Sequence, residues 1–198
     1  MLTALQRDLD LSPAAALEYG ETENTGGFLL KMNKQQNSVL RISLKDTPER
    51  FHPVAEQILP AFIKLFEDYA AQITPLMERD HAMRKQNADG KLSEQITAIE
   101  QESRQVKDRL FKGRITSNIY VTPYDTFPSQ FEYFLTGGSL HFIMKTTKKI
   151  TIQTTFTDED GCETYHRFVL RPEDGDWLID WFGYGYEAEE GPYRKSDF

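Results

Sequence analysis

Lys149-Ile150-Thr151-Ile152-Gln153-Thr154-Thr155-Phe156 alternates apolar and polar residues with a period of two. In an extended chain that period sends successive side chains to opposite faces, so the stretch predicts a strand with one face buried. Asp158-Glu159-Asp160-Gly161 follows as a turn, with Gly161 able to take positive φ. Tyr165-His166-Arg167-Phe168-Val169-Leu170 is extended again, Pro172-Glu173-Asp174-Gly175 turns, and Trp177-Leu178-Ile179-Asp180-Trp181-Phe182 closes the series. Ser139-Leu140-His141-Phe142-Ile143-Met144 has the same character upstream. Loops this short join antiparallel neighbours. Residues 139–183 therefore predict one antiparallel meander, with Trp177 and Trp181 sharing the core face of Ile179. Ile119-Tyr120-Val121 and Phe131-Glu132-Tyr133-Phe134-Leu135 read as further strands, which extends the predicted sheet to 113–183.

Before Gly113 the period is helical. Asp46-Thr47-Pro48-Glu49 is a start signal, a capping residue followed by an early proline. Val54, Ile58, Leu59, Phe62, Phe66, Tyr69 and Ile73 then fall near one helical face. Pro60 lies inside this pattern, where a missing N–H and a ring clash predict a kink or break. Thr74-Pro75 restarts a polar helix to about Gln86, and Asn87-Ala88-Asp89-Gly90 stops it. Leu92, Ile96, Ile99, Val106 and Leu110 form a narrow stripe on a third helix. The region 75–111 is thus expected as a helical hairpin, packed on the domain or projecting as a partner-binding arm.

Residues 1–25 read as loosely structured, with a turn over 21–27. Phe28-Leu29-Leu30-Lys31-Met32 and Val39-Leu40-Arg41-Ile42-Ser43-Leu44 are strand-like and suit a hairpin through Asn33 to Asn37. One α+β domain spans 1–198: an extension at 1–45, helices at 46–111, antiparallel sheet at 113–183 and an acidic tail at 184–198.

The formal net charge is −8, and residues 158–198 hold all of it, with twelve acids against four bases. An acidic half repels phosphates, which argues against nucleic acid as a partner. A basic protein partner suits it, and so does a merely solvated surface. No apolar run is long enough to span a membrane. The single cysteine, Cys162, excludes an internal disulfide and favours a reducing, cytoplasmic setting. Zinc-ligand spacings and glycine-rich phosphate loops are not present in the sequence, so no metal or cofactor is expected.

For an acid–base reaction the candidates are Asp180, His141, His166 and Tyr165, although alternation puts His166 and Tyr165 on opposite faces. A satisfied core or surface histidine is the plainer reading of His166, and a strand-end hydrogen bond or an exposed carboxylate that of Asp180. Tyr184, Tyr186 and Tyr193 are interleaved with Glu187, Glu189, Glu190 and several glycines. Tyrosine among carboxylates suits a protein interface in which rings anchor and acids steer. Asp158, Glu159, Asp160, Tyr184, Tyr186, Glu187, Glu189 and Glu190 are accordingly the candidate partner-binding residues.

The run 165–170, followed by Asp174-Gly175-Asp176-Trp177-Leu178-Ile179-Asp180-Trp181-Phe182, resembles the last two strands of the nuclear transport factor 2-like fold, which often ends in a Gly-x-Trp-x-Ile turn and strand. More narrowly, the chain resembles bacterial immunity proteins built on that fold. Those are encoded beside polymorphic toxins, such as the rearrangement-hot-spot (Rhs) type, and neutralise them. The resemblance covers residues 50–183 and leaves out 1–45 and the polar helices at 75–111. It implies a cone of N-terminal helices packed on a curved antiparallel sheet. It also implies a monomeric or homodimeric cytoplasmic protein, without catalysis, that binds the catalytic domain of a cognate toxin. The same fold hosts enzymes, so an isomerase- or dehydratase-like activity in the cone pocket is the alternative, and a module that dimerises through its sheet is a third.

Overall fold

The computed structural model describes residues 19–21, 27–30, 40–87, 91–119, 128–157, 161–186 and 194–195. Strands β1 (Tyr19–Glu21), β2 (Gly27–Leu30) and β3 (Arg41–Ser43) come first. A 3₁₀ turn (Glu49–Phe51) leads into α1 (His52–Gln86), α2 (Ser93–Phe111) and α3 (Pro128–Gly137). The chain then returns through β4 (Ser139–Thr146), β5 (Lys149–Thr157), β6 (Glu163–Glu173), β7 (Asp176–Tyr186) and β8 (Arg194–Lys195). The result is an α+β domain with an open mixed sheet whose strands lie in sequence order, β1 to β8. All neighbours are antiparallel except β3 and β4, which run parallel from Arg41↔Ser139 to Ser43↔His141. A parallel pair needs a long crossover, and here the three helices supply it.

The antiparallel meander over 139–183 is as the alternation predicts. The β2–β3 pair matches the expected hairpin, whose loop lies outside the described residues. The β6–β7 turn carries Asp174 at φ 51° and Gly175 at φ 89°. Two successive positive φ values are the two-residue hairpin geometry that Asp-Gly favours. The expected extension at 1–45 contributes β1, β2 and β3 to the sheet. The expected tail at 184–198 contains the end of β7 and all of β8.

The helical region is more continuous than expected. Neither Pro60 nor Pro75 breaks α1, which is one helix of 35 residues. Each proline removes a hydrogen bond and crowds the preceding turn, at a cost of about 3 kcal/mol. Ile58, Leu59, Ala61 and Phe62 are buried around Pro60, and Ile73 and Leu76 around Pro75. Burying one such large aliphatic or aromatic side chain contributes about 1.5–3 kcal/mol, so packing on both sides of each ring outweighs the local penalty. Thr47 is not a cap either. Its hydroxyl donates to the Phe142 carbonyl (2.8 Å) and accepts from the Met144 N–H (3.1 Å), pinning the entry to α1 against β4. Asn87 does end α1, and its side-chain oxygen accepts the Leu92 N–H at 2.8 Å, closing the turn into α2.

The expected strand over 131–135 is instead part of α3. Phe131 and Phe134 are both buried, a spacing of three that fits a helix face as well as Phe-rich alternation fits a strand. Pro128 at the first position and Gly137-Gly138 at the end agree with the helix. Gly138 is required at the α3–β4 junction, because a Cβ there would lie 2.6 Å from the Thr155 carbonyl oxygen and 2.8 Å from Phe134. Ile119, the start of another expected strand, is buried outside any strand, and 120–121 lie outside the described residues.

The core lies between α1, α3 and one face of the sheet. Phe66 stacks on Phe131 at 4.8 Å between centroids, Phe62 meets Phe168 edge-on at 5.0 Å, and Phe168 stacks on Phe182 at 4.8 Å. Aromatic pairs at these distances add to the area they bury. A bulge in β7 changes which residues reach this core. Leu170 pairs with Ile179, but Val169 pairs with Trp181, so Asp180 is an extra residue without a counterpart. Trp177 and Ile179 lie on the core side before the bulge and Phe182 after it, while Trp181 points to the other side. The expectation that Trp181 shares a face with Trp177 is therefore wrong by one bulge.

Candidate functional site

His166 is the first candidate to place. On β6 it shares the inner face with Phe168 and Leu170, and it is fully buried. Its ring lies 5.2 Å from Phe131, 5.2 Å from Phe156 and 5.6 Å from Phe182. Nδ1 is 3.1 Å from the Thr154 hydroxyl on β5. Burial pushes its pKa down to about 3, so the ring is neutral and spends its hydrogen bonding inside the core. The space that a cone pocket would occupy around this histidine is filled by phenylalanine rings. Thr154 escaped the sequence reading, although a threonine on the inner parity of a strand, opposite a histidine, is a detectable polar pair.

Asp180 is the second. Its carboxylate accepts from the Thr116 hydroxyl (3.0 Å) and the Asn118 amide (2.7 Å) at Oδ1, and from Arg171 Nε (2.7 Å) at Oδ2. Burial pushes its pKa upward, but the bonds from Asn118, Arg171 and Thr116 together leave it below the ordinary value. Backbone bonds reinforce the spot: Thr116 N–H to the Ile179 carbonyl and Ile179 N–H to the Arg114 carbonyl, each 2.9 Å. Asp180 is thus the pin that ties the segment after α2 to the bulge of β7. Thr116 and Asn118 gave no sequence signal, because they lie 62 or more positions away in an irregular stretch.

His141 and Tyr165 lie on the outer face, away from His166. His141 Nε2 sits 3.1 Å from the Asp46 carboxylate, with a pKa lowered by burial against the raising effect of Asp46. Tyr165 donates to Glu163 on the same strand. Three strand spacings of about 4.8 Å separate His141 on β4 from Asp180 on β7, roughly 14 Å, so they share no proton. The four acid–base candidates do not converge on one reacting atom.

Of the candidate partner-binding residues, Tyr184 is partly exposed near the end of β7, where it pairs with His166. Tyr186 pairs with Thr164 in the same ladder. Asp158, Glu159, Asp160, Glu187, Glu189 and Glu190 lie outside the described residues. The outer face itself carries a row the sequence did not reveal, because it depends on the bulge. Ile143, Thr151, Val169 and Trp181 lie side by side across β4 to β7, all partly exposed. Beside them Arg167 on β6 lies between Gln153 and Gly183, and the Gln153 amide oxygen accepts from its guanidinium at 2.9 and 3.2 Å.

The α1–α2 hairpin has its own chemistry. Beyond Leu76, α1 has no buried residue, and the hairpin is tied by Arg84 to Glu100 (2.5 Å) and by Arg79 to Glu102 (3.4 Å), with Asp80 on α1 also holding Arg84 (2.5 Å). Lys107 occupies a core position of α2, fully buried, and burial lowers its pKa to about 8. Among the described residues, no group of three or more His, Cys, Asp or Glu could hold a metal ion, and no helix is long and apolar enough to cross a membrane. No protein family, curated protein or solved structure matches the chain.

Proposed function

We propose that this protein acts by binding, as a cytoplasmic immunity protein of the nuclear transport factor 2-like type that captures the catalytic domain of a cognate bacterial toxin and blocks its active site or substrate access. The observation that carries the reading is the filling of the inner face. An enzyme on this architecture needs a pocket at the sheet with converging acid–base groups. Here that space holds phenylalanine rings around a neutral His166, and the other candidates sit on the opposite side, already engaged. The resemblance over 165–182 supports the toxin as the partner class. Helices on one face of a bulged, mostly antiparallel sheet support the cone-like architecture, since a bulge increases local twist and curvature. The concentration of net charge in 158–198 supports a basic, anion-binding cleft as the target, where acids speed encounter and mimic an anionic substrate.

The test starts from the gene neighbourhood, where this reading expects a toxin gene beside this one. The purified chain should bind that toxin's catalytic domain and protect cells expressing it. Association should slow as salt rises. Replacing Glu187, Glu189 and Glu190 together by Gln should lower the on-rate with little change in stability, because exposed charges contribute little to folding. Failure of the unaltered chain to bind or protect, together with calorimetric binding of a metabolite-sized ligand, would overturn the proposal in favour of a small-molecule or isomerase-like role.

A further inference from the structure

Among the described residues α2 packs on α1 and only marginally on anything else. Its buried stripe runs Ile96, Ile99, Ser103, Lys107, Phe111. The two ends of that stripe are apolar, and at the base Phe111 meets Tyr69 with ring centroids 5.5 Å apart. The middle is polar: Ser103 is 3% exposed and Lys107 0%. Ties from Arg109 to Gln72, Arg79 to Glu102 and Arg84 to Glu100 set α2 antiparallel to α1 and bring Asp80 alongside Ser103. Yet the buried Ser103 hydroxyl and the buried Oδ1 of Asp80 have no hydrogen-bond partner among the described residues.

Such atoms give up water on packing and regain no bond. The Lys107 ammonium gives up more. Burial lowers its pKa to about 8, so the packed interface favours its charge less than water does. The ion pairs across this seam lie on partly or largely exposed side chains, where they contribute little. The body of α1 differs, because its residues from Ala55 to Leu76 bury a broad apolar face in the main core. Past α2, Gly113 takes φ 69°, and backbone bonds fix Arg114 and Thr116 to Ile179. The helix is therefore joined at its base to a fixed point and is weakest at its centre. We infer that α2 is a strap that detaches from α1 at this polar seam, by a local opening that leaves the helix–sheet core folded and uncovers the α1 stripe of Tyr69, Ile73 and Leu76. This device goes beyond the binding reading above and does not depend on it.

Hydrogen–deuterium exchange of the full chain tests the strap without any partner. Where exchange follows the opening equilibrium, the α2 amides from Ile99 to Leu110 should exchange at least about 100-fold faster than those of β5 and β6, which open only with the whole domain. Ile152→Val, in the buried face of β5, should speed the β5 and β6 amides about fivefold and leave the α2 amides unchanged. Ser103→Ala combined with Lys107→Met removes the polar middle at similar side-chain length and should slow the α2 amides about tenfold or more. Circular dichroism reports whether each variant is folded. If the α2 amides of the parent are as slow as those of β5 and β6, or if Ile152→Val speeds both sets alike, α2 unfolds only with the core and the strap is wrong. If the double variant leaves the α2 amides within about threefold of the parent, speeds them or fails to fold, the polar seam is not what lets α2 detach, and the inference falls.

Discussion

On the helix side of the sheet, β4 to β7 present Leu140, Phe142, Ile150, Ile152, Phe168 and Phe182, all buried. On the other side the same strands present Ile143, Thr151, Arg167, Val169 and Trp181, all partly exposed. One ladder of hydrogen bonds supports both sides, so the backbone does not explain the difference. Alternation assigns each residue to a side, and a single inserted residue, Asp180, reverses the assignment for the rest of β7. The inner side is filled by its own packing, whereas the outer side carries a partly exposed indole and guanidinium. Substitutions on the two sides should therefore fall into different stability classes.

The largest effect is expected at Phe66, whose ring contacts Phe62, Phe131 and Phe168 at 4.8–4.9 Å. Phe66→Ala should cost about 3–5 kcal/mol, the usual range for removing a buried aromatic ring. Urea unfolding measures it. A loss below about 1 kcal/mol would mean that the inner side is not the close-packed core described above. Trp177 should be milder than a fully buried ring, since it is only partly buried at the edge of the core.

These differences follow from what was legible in the sequence. Alternation over 149–156 and 165–170 was enough to establish strands, faces and the position of His166. The turn at Asp174-Gly175 was legible because few residues adopt positive φ cheaply. Phe131 to Leu135 was misread because a run of aromatics fits either period, and packing against Phe66 decided for helix. The restart at Pro75 was misread, and no break occurs at Pro60, because local penalties are visible in a sequence and the burial that outweighs them is not. Trp181 was misplaced for a related reason. The bulge is set by Thr116, Asn118 and Arg171 converging on Asp180, and contacts between residues 62 or 64 positions apart leave no periodic trace. The outer row is a product of that bulge, so it could not be read before the register was known.

His166 offers a second way to sharpen the contrast, through pH. Its pKa is about 3 in the folded chain against an ordinary 6.5. The unfolded chain binds this proton at a higher pH than the folded one, so stability is complete above about pH 6.5 and declines as pH falls toward 3. The slope approaches about 1.4 kcal/mol per pH unit inside that window. Replacing both hydrogen-bonding partners, as Thr154→Val with His166→Leu, removes the titration without stranding either polar group, and such paired replacements are often near neutral. The double variant should match the parent near pH 7.5 and show a shallower dependence between pH 6.5 and 5, where ordinary carboxylates contribute little and His141, whose pKa burial also lowers, accounts for the remainder. An unchanged slope would place the acid-sensitive group outside the core.

The smallest effect is expected where the two sides meet, at Asp180. Asp180→Asn keeps the shape of the side chain and can still accept from Thr116 or Asn118, but it loses the ion pair with Arg171, which is largely exposed. The loss should be about 1 kcal/mol or less at pH 7, since exposed ion pairs contribute little. Because the carboxyl pKa is depressed in the folded chain, its contribution is present above the ordinary carboxylate pKa and disappears as pH falls through the folded value. Parent and variant should accordingly differ at pH 7 and converge in acid below that value, as followed by urea midpoints. Asp180→Ala removes the acceptor altogether and leaves the buried Thr116 hydroxyl without it. That variant should cost more, roughly 1–3 kcal/mol, and should loosen the bulge that turns Trp181 outward. In the Trp177→Phe background, Trp181 emission would report the change. If Asp180→Ala leaves both stability and emission untouched, the bulge is held by the backbone bonds of Ile179 alone, and the side-chain network around Asp180 has no part in separating the two faces.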